Sequence, residues 1–542
     1  MLAENQLTAR ARPQARHRYW TPRLVPFFAV FGLALWIVAA RFRLTAPSLV
    51  DDWYAVTYSP ASIHALLHGH YLSSGLDFSG RYRPAYSAVW SYAQWHLLGS
   101  PSPALAAAWG VLRVAFFVLA SWLLTTWLAG RDWNARRAVL WLAPFAVALT
   151  PAIAVDLARF GPGEPMMVAG LIVGLAIIAR GAQALLRDDL DRRGRRFAVP
   201  TIAAGYLVYL LGVYTKETSF CLLAFAPFLL TWLGPTVRTA LQSRKTRLLS
   251  LGLGVLIVAP LVHVGARLAF AVLGGADPYP NPRYGLTSRL FSAGLSPLLG
   301  EPGALGTWMW FFFAPAAVFV ALIVASRRQR DAWLLFGILV TGFLMSSIAL
   351  VRGPTPSWYY VPWLVAVAAV GIRMLSSAPI GVHIGLAVLL LVLAGVRTRP
   401  ALTEWSRSEH SGATAITLSK SVIAADCPLY VANFDIEQRV AIPLLFRFVP
   451  VRPIPACGKA STPAYAVSWR ADPLPADFAV RCQGGWQVLS REDEVSMLRC
   501  RSLQPGVVPD QNAASGEPLV TVVRIRPQRQ PPRPNRLFRS VG

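Results

Sequence analysis

Two adjacent carboxylates, Asp51 and Asp52, stand just past the first apolar run, and Arg81-Tyr82-Arg83-Pro84 follows in the same loop. An aspartate in a sheltered cleft can act as a general base for a hydroxyl group. Arginine is the side chain best suited to bidentate contact with a phosphate. Proline favours the start of a helix, so Arg81 and Arg83 are expected at a helix amino end, where the dipole also favours an anion. Charges at a membrane surface are costly unless they work. The pair therefore reads as a base and a phosphate clamp at the mouth of a membrane site. Two structural alternatives stay open. If Trp53 and Tyr54 begin a helix, Asp51 or Asp52 is its cap, and the arginines can snorkel to lipid head groups.

Other polar residues fall in later loops. Asp156, Arg159 and Glu164 share one hairpin, Lys216 and Glu217 a second, and Arg352 precedes Trp358-Tyr359-Tyr360-Val361-Pro362 in a third. The expected topology puts all three on the side of Asp51, so one site could gather them; each could equally be an ordinary interfacial ion pair. Arg113 and Arg267 fall within apolar runs. His64 and His68 have the i, i+4 spacing of a metal pair. No carboxylate completes that set, so no metal ligand is assigned.

These residues must be positioned by membrane helices. The chain has 542 residues, 55% hydrophobic and 14% charged, too apolar for a soluble protein. Runs long enough to span a bilayer fall near 24–40, 103–129, 138–155, 163–179, 198–215, 218–234, 248–273, 306–325, 332–350, 358–374 and 379–396. That is about 11 transmembrane helices. The first run is read as an uncleaved span, because Arg41-Phe42-Arg43 follows instead of a cleavage site. The shorter run Tyr86 to Leu98 reads as a helix in the interface.

Basic residues test this arrangement. Residues Arg10 to Arg23, Arg131 to Arg137, Arg180 to Arg196, Arg238 to Arg247, Arg327 to Arg330 and Arg373 hold more than twice the basic residues of the opposite loops up to residue 396. By the positive-inside rule they are cytoplasmic, and Asp51 and the later polar hairpins face out. The same distribution explains the net charge of +26 without nucleic acid. The Arg-, Ala- and Gly-rich composition fits a GC-rich bacterial genome, and the expected location is the cell inner (plasma) membrane.

The expected domains are a cytoplasmic basic segment at 1–23, a membrane domain at 24–396 with its first outer loop at 41–102, an extracytoplasmic domain at 397–501, and a disordered basic tail at 502–542. In the third, Leu429 to Phe434 and Tyr465 to Trp469 read as strands of a small α/β unit. Cys427, Cys457, Cys482 and Cys500 suggest two disulfides there. Three pairings are possible, and sequence order favours Cys427–Cys457 with Cys482–Cys500. Cys221 is expected in the core.

In this order, the motifs resemble those of the GT-C superfamily, membrane glycosyltransferases that use polyprenyl-phosphate-linked sugars. The likeness is nearest to the protein O-mannosyltransferase and aminoarabinose-transferase branch. It rests on Asp51-Asp52 after the first span, Arg83-Pro84 opening a juxtamembrane helix, Thr215-Lys216-Glu217 between later spans, and Tyr360-Val361-Pro362. It covers residues 20–396. The arginine sometimes found just before the late Tyr-x-Pro is missing here; Arg352 lies farther upstream.

The resemblance implies transfer of a sugar to an acceptor hydroxyl on a glycan, lipid or protein, on the extracytoplasmic side, with inversion. Asp51 or Asp52 would be the base. Arg81, Arg83, Lys216 and Arg352 would bind the donor phosphate. Arg159, Glu164, Glu217 and Tyr360 are candidate substrate contacts. Some relatives use a divalent metal and others do not. Two other readings are a transporter or flippase of a lipid-linked glycan and a catalytically silent scaffold. A transporter predicts ionisable groups near the midplane and paired repeats. The charges here gather at span ends, and both carboxylates are retained.

Overall fold

The computed structural model describes residues 83–86 and 89, 103–129, 163–186, 192–230, 244–273 and 329–350, positions within 361–388 and 407–454, residues 464–469, most of 482–501, and 520–522. Within these, the protein is mostly helical with a small carboxyl-terminal sheet. The long helices are α1 (Pro103–Ala129), α2 (Glu164–Leu186), α3 (Arg192–Val213), α4 (Arg244–Leu273) and α5 (Gln329–Leu350). Each covers one of the apolar runs. Among the described residues, three helices have segments long and apolar enough to cross a membrane: Glu164–Leu186, Arg196–Val213 and Thr246–Phe270. Two more expected spans, 103–129 and 332–350, are helical as α1 and α5; the rest lie wholly or partly outside the described residues.

α3, α4 and α5 start earlier than their apolar runs. α3 takes in the arginines from Arg192 and α4 those from Arg244. Arginine is a good helix former, so polarity alone does not end a helix. Along α4, Leu251, Val255, Val262 and Phe270 are exposed, as expected of a helix facing lipid.

α2 and α3 form the tightest pair, and glycine makes the contact possible. A Cβ on Gly170 would lie 2.6 Å from the Gly212 Cα, and one on Gly174 would lie 2.5 Å from the Tyr209 backbone nitrogen. Gly181 similarly faces Ile202, and Gly205 faces Ile177 and Ile178. Small residues let helix backbones approach this closely in an apolar medium, where packing drives association. These contacts fix an antiparallel register. Continued beyond Gly170 and Gly212, it brings the start of α2 beside the residues after α3.

The run at 218–234, expected as an ordinary span, instead begins with nine residues of 3₁₀ helix, Glu217–Phe225. Runs of this length are uncommon, and such stretches often mark functional hinges. Helix 361–363 packs on α5 through the Trp363 N–H, which donates to the Ser346 hydroxyl at 3.3 Å.

The carboxyl-terminal unit has five strands: β1 (Leu429–Ala432), β2 (Ala464–Trp469), β3 (Gln487–Glu492), β4 (Val495–Cys500) and β5 (Val520–Val522). Their order is β3-β4-β2-β1-β5, with only β1 and β2 parallel. A helix at 410–424 is largely buried. The α/β character matches the sequence expectation. β5, however, lies inside the segment expected to be disordered. Its Val-Thr-Val run suits a strand, and the surrounding Pro and Arg hid that signal.

Cys482 and Cys500 form a disulfide, joining the β3–β4 hairpin across its open end. The turn there needs glycine: Gly484 and Gly485 have φ of 82° and 78°. Cys427 is also disulfide-bonded, and its expected partner Cys457 lies outside the described residues. Cys221 is free and buried.

Candidate functional site

At the end of α3 remote from its arginines, the chain turns through Tyr214 and Thr215 into Lys216. At 1.5 Å per residue, that end lies about 30 Å from Arg192. The Thr215 hydroxyl donates back to the Leu211 carbonyl, and the Ser219 hydroxyl to the Val213 carbonyl at 2.7 Å. These bonds take up carbonyls that the last helical turn would leave without partners. Lys216 is extended (φ −147°, ψ 137°) and precedes the 3₁₀ helix without a side-chain cap. Its ammonium group therefore reaches outward to α2.

There it meets Glu164, the first residue of α2, in a buried ion pair. The amino end of a helix favours a carboxylate. Gly163 seats this end: a Cβ on it would stand 3.2 Å from the Thr215 methyl carbon and 3.3 Å from the Tyr86 ring.

Arg83 enters from the first loop. Pro84 and Ala85 are helical, as the proline suggested. The Ala85 N–H donates to the Tyr214 carbonyl at 3.1 Å, docking the new helix against the end of α3. Arg83 then faces Glu217. Its Nη2 donates to Oε1 at 2.6 Å, and its Nε to Oε2. The result is a bidentate pair between residues 134 positions apart.

Four of the expected site residues are thus brought together: Arg83, Glu164, Lys216 and Glu217. Their side chains are 9%, 3%, 5% and 2% exposed, so the group is nearly dry. Among the described residues, two cations here face two carboxylates. Burial, and next the Arg83 guanidinium, push the Lys216 ammonium below its ordinary pKa; the two carboxylates oppose the shift. Buried ion pairs are weak sources of stability, because desolvation offsets their attraction. Such a group among apolar helices is a functional-site candidate.

Asp51, Asp52, Arg81, Arg159, Arg352 and Tyr360 lie outside the described residues, as do His64 and His68. Among the described residues, no three His, Cys, Asp or Glu side chains come together as a metal site. Arg113 is buried in α1, 2% exposed, while Arg267 is exposed on α4. Tyr86, Gly163 and Tyr214 help build the site but were not singled out from sequence. The backbone contact of Tyr214 and the glycine fit leave no residue-type signal.

No family model matches the chain, and no curated protein sequence does. Solved structures give weak likenesses. ArnT from Cupriavidus metallidurans bound to undecaprenyl phosphate has a TM-score of 0.48 and 13% identity, covering 88% of this chain and 98% of that one. Its apo state gives 0.46 and 14%, over the same shares. The oligosaccharyltransferase AglB from Archaeoglobus fulgidus, in complex with an inhibitory peptide and a dolichol-phosphate, gives 0.41 and 13%, covering 83% of this chain and 69% of that one. Both proteins are GT-C glycosyltransferases, the superfamily that the sequence motifs resemble. At these scores the likenesses assign neither an activity nor a substrate to this chain.

Proposed function

We propose that this chain is an integral membrane glycosyltransferase that moves a sugar from a polyprenyl-phosphate-linked donor to an acceptor hydroxyl on the extracytoplasmic side. One observation carries the reading. Arg83 and Lys216, read from sequence as phosphate ligands, are held by Glu217 and Glu164 in one buried group at the helix ends remote from the Arg192–Arg196 cluster.

In this reading the membrane domain at 24–396 has about 11 spans and collects its donor from the bilayer. The domain at 397–501 and the site face the periplasm or exterior. Asp51 or Asp52 takes the acceptor proton as the hydroxyl oxygen attacks the anomeric carbon. The bond from that carbon to the phosphate oxygen breaks in the same displacement, so the centre inverts. Negative charge grows on the departing phosphate. Fixed cations in a dry site stabilise it most at that moment; Arg81, Arg83, Lys216 and Arg352 fill this role. Arg159, Glu164, Glu217 and Tyr360 are assigned to substrate contact or to holding the cations in place.

Deleting the gene and analysing envelope glycans, lipids and glycoproteins by mass spectrometry tests this reading. One sugar should disappear from its acceptor while its lipid-linked donor persists. Unchanged glycosylation, or loss of transport with transfer intact, would overturn it.

A further inference from the structure

The two buried ion pairs are not equivalent. Arg83 offers two nitrogens to the two oxygens of Glu217, a geometry that fixes both side chains. Lys216 meets Glu164 as a point charge through one oxygen. The other Glu164 oxygen has no hydrogen-bond partner among the described residues, although the side chain is 3% exposed. A carboxylate held by one contact at a helix end is the member of the four most readily exchanged.

A buried ammonium without a counter-ion is strongly unfavourable. Lys216 therefore needs one before the donor arrives and after the product leaves. The sugar-linked donor is a phosphodiester with one negative charge. The product is a phosphomonoester, whose second ionisation falls near pH 6. The product thus grips a cation harder than the donor does, and release is the step that needs a competing anion.

We propose that Glu164 is a displaceable counter-ion that yields Lys216 to the donor phosphate and reclaims it to expel polyprenyl phosphate after transfer. Glu217, doubly bonded to Arg83, stays in place throughout. This proposal rests on Lys216 being a phosphate ligand. It adds that the nearby acid governs product release, a step that limits turnover in many enzymes.

The test uses the full chain in detergent, with polyprenyl phosphate as ligand and the uncharged polyprenol as control. Glu164→Gln removes the competing charge at constant shape. It should tighten polyprenyl phosphate about 10-fold, the size of one charge-assisted contact, and leave polyprenol binding unchanged. Steady-state turnover should fall while a first, single turnover survives as a burst. Equal or weaker phosphate binding in Glu164→Gln would overturn the proposal. If Glu164→Gln does not fold, Glu164→Asp draws the carboxylate back and should give a smaller gain, about 3-fold; no gain overturns the proposal equally. Lys216→Met separates the two ideas. Lost phosphate binding there, with no gain in the Glu164 variants, removes only the release role. Unchanged binding in Lys216→Met removes the phosphate reading itself.

Discussion

Gly212→Ala tests whether the α2–α3 contact positions the site. The added Cβ would lie 2.6 Å from the Leu171 nitrogen, 2.8 Å from the Gly170 carbonyl carbon and 3.0 Å from the Met167 oxygen. All three are backbone atoms, so no side chain can swing aside. To reach ordinary contact at 3.4 Å, the helices must part by about 0.8 Å. Overpacking of this kind costs roughly 1–3 kcal/mol. The same displacement widens the gap between Glu164 and Lys216, and a misplacement of about 1 Å can cost ~10²-fold in rate. Thermal unfolding and sugar transfer would be measured in detergent. The control is Gly252→Ala on α4, where no described residue lies within 4 Å of the new Cβ. It should leave transfer unchanged and raise stability by up to about 1 kcal/mol through helix propensity. If Gly212→Ala keeps wild-type stability and turnover, glycine packing does not set the geometry of the ion pairs.

An Asp51→Asn, Asp52→Asn double variant should insert and fold yet lose transfer by roughly 10²–10⁴-fold, the contribution of a general base; near wild-type turnover would remove both residues from the mechanism. Intact-mass measurement with and without reductant should show two disulfides, a difference of about 4 Da from four oxidised thiols. Four alkylatable thiols in the native carboxyl-terminal unit would contradict this. For topology, Gly75→Cys and Leu290→Cys should react with an impermeant reagent from outside, and Leu190→Cys and Arg328→Cys should not. Outside labelling of Leu190→Cys would mean that the spans are miscounted.

Hydropathy made the membrane helices legible. Water can satisfy no backbone group inside a bilayer, so a long apolar run has few alternatives to a helix. Pro84 announced the helix after Arg83 for an equally local reason, the fixed φ of proline. The members of the site were legible as residue types at loop positions, whereas their partners were not. Arg83 and Glu217 are 134 residues apart and meet where the Ala85–Tyr214 backbone bond docks the first-loop helix on the end of α3, while the glycine register of α2 and α3 brings Glu164 to Lys216. Such a register depends on shape across two helices and leaves no periodic pattern in either. The 3₁₀ stretch after Lys216 was hidden for a similar reason: an apolar run gives length and polarity but not hydrogen-bond spacing. In the carboxyl-terminal unit, β1 and β2 showed as β-branched and aromatic runs. Their parallel pairing and the arrival of β5 are long-range choices that local composition does not encode.

Transfer by purified Lys216→Met and Arg83→Met variants, with a lipid-linked sugar donor and a native acceptor, bears most directly on the central claim that the buried group stabilises the leaving phosphate. Each change removes a fixed donor to developing charge. Such a loss costs about 10²–10³-fold in kcat. A drop of that size is expected in both variants, with the protein still inserted and monodisperse. Turnover within a few-fold of wild type in both would contradict it and leave the two ion pairs as structural ties.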